Sequence, residues 1–376
     1  MATYSIWSIK YDEAYKTIDD YEYPEYTLTS FLTNYSRDEK KDLNNGRYFN
    51  KIGYNQNVKT PSGCYDIPYY YSRAEKGYRL VRSLFYKYCA HHLFYGKMQE
   101  YKTGKTDNFI NFAQYLPNVS PLCLDFDIVS IFEKSDRDKF KKGDSIHIYT
   151  NDHIIQIVEI LHDIIFNNFE VDSEDIKAYV FEKESFKFKS NNVVKDGIHI
   201  IYLLPFNVKQ RWFIRNELIN KLKDINFIES FNFNITNSYE DIVDEAVISR
   251  NPWLTYGSVK VESKTVKDSN GNTVYYMSNG EKKKQMKFNR SLPYDLTHIF
   301  NYDLIDENIE LIYDENIDKI IPRIKTYETI DDIEALLNLF DLDQFSDDDP
   351  LEEKSDKLIS YVYVDNNRKS KNNQSL

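Results

Sequence analysis

The sequence predicts an α/β or α+β protein built on a mixed sheet, on three observations. First, β-prone runs at 121–129, 176–181 and 197–204 alternate with segments whose apolar residues recur at three and four residues, so strands and helices are interleaved. Second, the run Gly197-Ile198-His199-Ile200-Ile201-Tyr202-Leu203-Leu204 is apolar on both faces, as in a strand at the middle of a covered sheet. Third, 376 residues with 41% hydrophobic and 15% aromatic content supply ample core material and lie far from the composition of disorder.

Residues 1–70 are rich in Tyr, Asn and charge with weak periodicity, and read as short strands and loops. From Ser72, the spacing of Tyr78, Val81, Leu84, Phe85, Tyr88 and Leu93 predicts a long amphipathic helix ending near Gly96. The stretch 99–106 ends like a phosphate-binding loop, but Gln99 stands where that motif needs Gly and no strand precedes it; it reads as an exposed basic loop. After the 121–129 strand come a charged turn region, a short strand at 145–149, and a helix capped by Asp152 with Ile154, Ile157, Val158, Leu161 and Ile165 as its buried stripe. The central strand is expected to stop at Pro205, and a helix over 208–222 to turn Trp212, Phe213, Leu218 and Leu222 inward. Asn251-Pro252 reads as a turn before a strand at 253–256. A hairpin over 261–277 is expected around Asn270-Gly271, and a last helix over 331–340. The chain divides into an N-terminal accessory region (1–115), a central core (116–305), a C-terminal helical region (306–345) and an acidic, polar tail (346–376) of disordered composition.

Composition narrows the function classes. A net charge of -12 argues against a protein that coats nucleic acid non-specifically and leaves room only for a localised basic groove. Cys64, Cys89 and Cys123 are too few and too scattered for a zinc site or disulfide framework, which points to a reducing compartment. No 18-residue apolar run or secretory pattern occurs, so the expectation is a soluble intracellular protein with no membrane partner.

The chemistry centres on Pro121-Leu122-Cys123-Leu124-Asp125-Phe126-Asp127-Ile128-Val129. In a strand, Asp125 and Asp127 leave the same face ~7 Å apart along the backbone, while Leu124, Phe126 and Ile128 enter the core. Like charges this close oppose each other's ionisation unless a cation lies between them, and a divalent ion with oxygen ligands is the usual solution. Taken singly the pieces have plainer readings. A D-x-D pair is often a strand-end surface feature, His199 a satisfied core histidine, Asp244 beside Glu245 a solvated turn, and Lys195 a surface lysine.

Together and in this order, the pieces resemble the archaeo-eukaryotic primase superfamily, specifically the N-terminal primase domains of primase–helicases of nucleocytoplasmic large DNA viruses. The resemblance rests on Cys123-Leu124-Asp125-Phe126-Asp127, on Lys195-Asp196-Gly197-Ile198-His199-Ile200-Ile201-Tyr202, and on Asp244-Glu245-Ala246-Val247. Asn251-Pro252-Trp253-Leu254-Thr255-Tyr256-Gly257-Ser258-Val259-Lys260 is similar to the family's stretch ending in Gly-Ser and a basic residue. The family often carries arginine where Thr255 stands, which leaves Arg250 or Lys260 for that role.

The resemblance implies a primase-type core, a mixed sheet flanked by helices, in which Asp125, Asp127 and Asp244 hold two Mg²⁺ or Mn²⁺ ions. His199 is then catalytic and contacts the incoming nucleotide, with Lys195, Arg250, Ser258 and Lys260 behind it. The implied activity is DNA-dependent synthesis of short primers on a single-stranded DNA template from NTPs or dNTPs, with a fused or separate helicase as partner, in the cytoplasm or at a viral replication site. Lys282, Lys283, Lys284, Lys287 and Arg290, interleaved with Met286 and Phe288, form a candidate single-strand groove, although a lysine run is commonly just a solvated face. Alternative readings are a primase–polymerase extending primers, a non-catalytic nucleic-acid-binding replication module, and a two-metal nuclease that directs water at the phosphate.

Overall fold

The computed structural model describes residues 49–54, 69–72, 86, 89–94, 112–114, 116–132, 147–183, 185–190, 192–249, 253–259, 261–278, 280–290, 294–302, 330–342, 344–345 and 348–354. In chain order these begin with β1 (Phe49–Tyr54), β2 (Tyr69–Ser72), β3 (Phe112–Gln114), β4 (Val119–Ile131), α1 (Asn151–Asn168), β5 (Lys177–Glu182), β6 (Lys187–Phe188) and β7 (Val193–Asn207). Next come α2 (Val208–Asp224), β8 (Asn234–Ile235), α3 (Tyr239–Ile242), α4 (Ala246–Ser249) and β9 (Trp253–Leu254). Then follow β10 (Val261–Thr265), β11 (Tyr275–Ser278), β12 (Glu281–Lys284), β13 (Met286–Arg290), β14 (Asp295–Asn301) and α5 (Ile330–Leu339).

The central sheet has the order β14-β5-β7-β4-β8, with β6 attached to β7. All its pairings are antiparallel. The α/β class and the flanking helices hold, but the sheet is antiparallel among the described residues where a mixed one is expected. Leu124, Phe126 and Ile128 of β4, Ile198 and Ile200 of β7, and the apolar stripes of α1 and α2 share one buried core. That core covers one face of the sheet, and the alternation of β4 turns Asp125 and Asp127 to the other. A smaller sheet, β2-β1-β3-β9, carries Trp253 next to Gln114.

Several local expectations are corrected. Helix α1 is capped by Thr150, not Asp152: the Thr150 N–H donates to His153 Nδ1 at 3.0 Å, and Asp152 lies in the first turn. Residues 147–149 bend instead of forming a strand, because the Ile148 N–H donates to the buried Asp196 carboxylate rather than to a neighbouring strand. The central strand runs through Pro205 to Asn207. Pro121 and Pro205 both fall where the β4–β7 register shifts, so neither is asked for an N–H in the ladder. Residues 348–354, inside the stretch with a disordered composition, dock on the fold. The Leu351 N–H donates to the Pro205 carbonyl, Glu170 N–H to Glu352, and Lys354 N–H to Asn168. Backbone partners decide this segment where composition does not.

The 261–277 hairpin is also redrawn. Its tip forms as expected, with Gly271 at φ 83° and its N–H on the Asp268 carbonyl. Its flanks, however, pair elsewhere: β10 with β13, and β11 with β12. Gly280, at φ 78°, provides the second turn that allows this. The 72–96 helix is helical at residues 86 and 89–94, while the 99–106 stretch and the Asn251-Pro252 turn lie outside the described residues. Cys89 and Cys123 are free and buried. Among the described residues no helix is long and apolar enough to cross a membrane.

A buried ionic contact ties β14 to β5, with His298 Nδ1 3.3 Å from Glu182 Oε2. Burial opposes ionisation of Glu182, but His298 first, then Thr297 and His147, bring it down from 4.5 to about 2. A carboxyl depressed in the folded state stabilises above its unfolded value and loses that contribution as pH falls through the folded one. The shift corresponds to ~3 kcal/mol. Urea titrations of Glu182→Gln are therefore expected to show reduced stability at pH 7 and a flatter decline between pH 4.5 and 2 than wild type. His162 adds to acid sensitivity in an earlier window. Burial against Tyr202 and Tyr302 lowers it from 6.5 to about 3, so its contribution is lost as pH falls between those values.

Candidate active site

The site is built on paired strands. In the β4–β7 ladder Asp125 faces His199 and Asp127 faces Gly197, so the acids and the imidazole share one side of the sheet. His199 Nε2 lies 3.5 Å from Asp125 Oδ1, and Lys195 Nζ forms an ion pair with Asp127 Oδ2. Asn237 fixes the acidic strand from the β8 side: its amide donates to the Asp127 carbonyl at 2.5 Å, and its Oδ1 accepts the Val129 N–H at 3.0 Å.

Asp244 arrives from a distant segment. Val243 forms a bridge to Phe126, and the Asp244 N–H donates to the Asp125 carbonyl at 2.9 Å. The Asp244 Oδ1 accepts the Ala246 N–H at 2.9 Å, which fixes the carboxylate at the start of α4. Behind this loop the buried Arg215 of α2 donates to the Val243 carbonyl through Nε at 2.9 Å and Nη2 at 2.6 Å, and to the Glu240 carbonyl at 2.8 Å. Carboxylate oxygens of Asp125, Asp127 and Asp244 consequently all lie within 4.8 Å of one another.

The charges are strongly coupled. Burial opposes ionisation of Asp125, yet the charge of His199, with Lys195 and Lys183 behind it, holds its carboxyl below the ordinary value. Asp127 is pushed up by burial and by the charge of Asp125, against the pull of Lys195. The buried Asp125 Oδ1 makes no hydrogen bond among the described residues, with His199 at ion-pair range only. An all-oxygen donor set containing an orphaned buried carboxylate oxygen fits a hard divalent cation such as Mg²⁺ or Mn²⁺.

Two groups missed in the sequence complete the site. Tyr294 stacks on His199 with ring centroids 3.5 Å apart, and Trp253 packs on the same imidazole at 4.4 Å. The Lys183 ammonium lies 4.2 Å from the Tyr294 ring centre and within electrostatic reach of both Asp125 and Asp127; burial lowers its pKa. No motif marks these residues, since one follows β5 and the other precedes β14. Gly197 leaves the room that the Tyr294 hydroxyl needs. A Cβ there would come within 2.9 Å of the Tyr294 hydroxyl and 3.0 Å of the Phe126 carbonyl oxygen.

Of the other sequence candidates, Ser258 lines an aromatic cleft with His199, Trp253, Tyr294 and Phe340, and its hydroxyl lies 2.8 Å from that of Thr255. Arg250 and Lys260 lie outside the described residues. Lys282, Lys283 and Lys284 are exposed on β12, and Lys287 and Arg290 fall on β13, where only the backbone is described.

A D-x-D strand facing a histidine strand, closed by a third acid from a later loop, gathers three carboxylates beside an imidazole on one face of the sheet. Residues 93–278 belong to the archaeo-eukaryotic primase (AEP) superfamily, a group of nucleotidyltransferase primases. The family they match is that of the C962R protein N-terminal AEP domain. Over 118 residues, 31% of the chain, the sequence is 32% identical to a protein of Acanthamoeba polyphaga mimivirus named as a helicase, L207/L206. The match spans 12% of that protein's length.

Proposed function

We propose that the chain is a DNA primase, joining nucleoside triphosphates into short primers on single-stranded DNA at the Asp125 site. The observation that carries this reading is the convergence of Asp125, Asp127 and Asp244 beside His199 and Lys195 on one face of the sheet. The three carboxylates would hold a pair of Mg²⁺ or Mn²⁺ ions, whose chemistry would be to lower the pKa of a 3′-hydroxyl and offset negative charge at the α-phosphate. His199, packed against Tyr294 and Trp253, presents its imidazole to a phosphate oxygen from a rigid strand. Lys195 exchanges Asp127 for the triphosphate, and Lys183 adds a second cation beside it. Arg250, Ser258 and Lys260 complete the nucleotide pocket, while Lys282, Lys283, Lys284, Lys287 and Arg290 track the template backbone.

A helicase, fused or separate, is the natural partner, in line with the name of the mimivirus relative. The setting is viral DNA replication in a host cell. One observation favours the alternative of a non-catalytic replication module: Lys195 already neutralises Asp127. Incubation of the protein with single-stranded DNA, labelled nucleotide and Mn²⁺ or Mg²⁺ separates the two. Short products that appear without a primer support a primase, products only from an added primer indicate a primase–polymerase, and DNA binding without product indicates the module.

A further inference from the structure

Outside the central sheet, the chain builds a forked β unit. The β10–β13 ladder splits at three backbone hydrogen bonds of 2.9 Å each, Val266 N–H to Gln285, Gln285 N–H to Val274, and Val274 N–H to Val266. One branch is the Asp268–Gly271 tip; the other is the β11–β12 hairpin. Residues 260–290 hold eight Lys and Arg against three Asp and Glu, in a chain whose net charge is -12. The hairpin also exposes large apolar groups, with Tyr275 43%, Tyr276 50% and Met277 68% accessible.

The two faces of the hairpin differ. Strand alternation and register put Tyr275 and Met277 with their cross-strand partners Lys284 and Lys282 on one face. The opposite face carries Tyr276, Lys283 and Glu281, where acid and base cancel. On the first face the Lys282 ammonium sits 4.4 Å from the centre of the Tyr275 ring. A ring, a thioether and two cations with no acid form a surface for an unpaired base with its flanking phosphates.

We infer that the Tyr275–Met277–Lys282–Lys284 face is a stacking platform for single-stranded DNA, working independently of metal and nucleotide. A base stacks on Tyr275 and Met277 while Lys282 and Lys284 contact the adjoining phosphates. The choice of DNA as occupant rests on the primase reading; the surface itself does not.

The test is fluorescence anisotropy of labelled oligothymidylate with the full chain in EDTA, without nucleotide, at several salt concentrations. Tyr275→Ala is expected to raise Kd about tenfold. Lys282→Gln and Lys284→Gln are each expected to reduce the slope of log affinity against log salt by ~0.7. Tyr276→Ala, on the opposite face, serves as the control and is expected to change Kd less than about twofold. Circular dichroism and thermal melting confirm that each variant is folded. Unchanged binding by Tyr275→Ala, equal losses from both faces, or equal affinity for duplex DNA would each overturn the platform. A wild type that binds with this face dependence but makes no primer overturns the primase reading alone.

Discussion

Asp244→Asn is expected to reduce primer synthesis by ~10³-fold or more while leaving the protein folded. The substitution keeps the Oδ1 that accepts the Ala246 N–H, and the Asp244 backbone bond to Asp125 does not involve the side chain. What it removes is one of three negative charges that share a small space. Two measurements check this. Primer synthesis reads the activity directly. Thermal melting with and without Mn²⁺ reads the ion, since a ligand that binds only the folded state raises its melting temperature. Wild type is expected to gain several degrees and Asp244→Asn to lose most of that gain. Equal stabilisation of both proteins by Mn²⁺ would remove Asp244 from the ligand set.

Phe126→Ala is expected to cost ~3–5 kcal/mol of folding free energy. Phe126 sits between the two acids but points the opposite way, fully buried among the side chains of α1 and α2. Its removal leaves a cavity in a close-packed interior, and its backbone also carries the bridge to Val243 that delivers Asp244. Urea unfolding followed by circular dichroism gives the stability loss. Activity is expected to fall as well, through the loosened Val243 bridge rather than through any contact with substrate. The two substitutions thus separate function from stability at adjoining positions: Asp244→Asn spares the fold and Phe126→Ala does not. A Phe126→Ala variant with wild-type urea resistance would mean that the core does not depend on this strand.

Much of this was legible in the chain because the governing rules are local. Alternation along 121–129 is enough to put Asp125 and Asp127 on one face and Phe126 on the other, whatever the strand packs against. The apolar run around His199 is enough to place it at the centre of a sheet. Boundaries were less legible where a group distant in the chain decided them: the Asp196 carboxylate bends residues 147–149, and the Pro205 carbonyl captures Leu351. The redrawn 261–277 hairpin has the same origin, since β-prone strands of similar length can exchange partners and only the positions of Gly271 and Gly280 select one pairing.

What the sequence by itself determined, then, is the aim of individual side chains. The tertiary structure alone decided their company. It brought Asp244 to Asp125 through a bridge held from behind by Arg215, put the Lys183 ammonium beside the acids, and laid Tyr294 across His199 over the space that Gly197 leaves open. These contacts join residues from separate elements, and no periodicity along a chain encodes a distance across it.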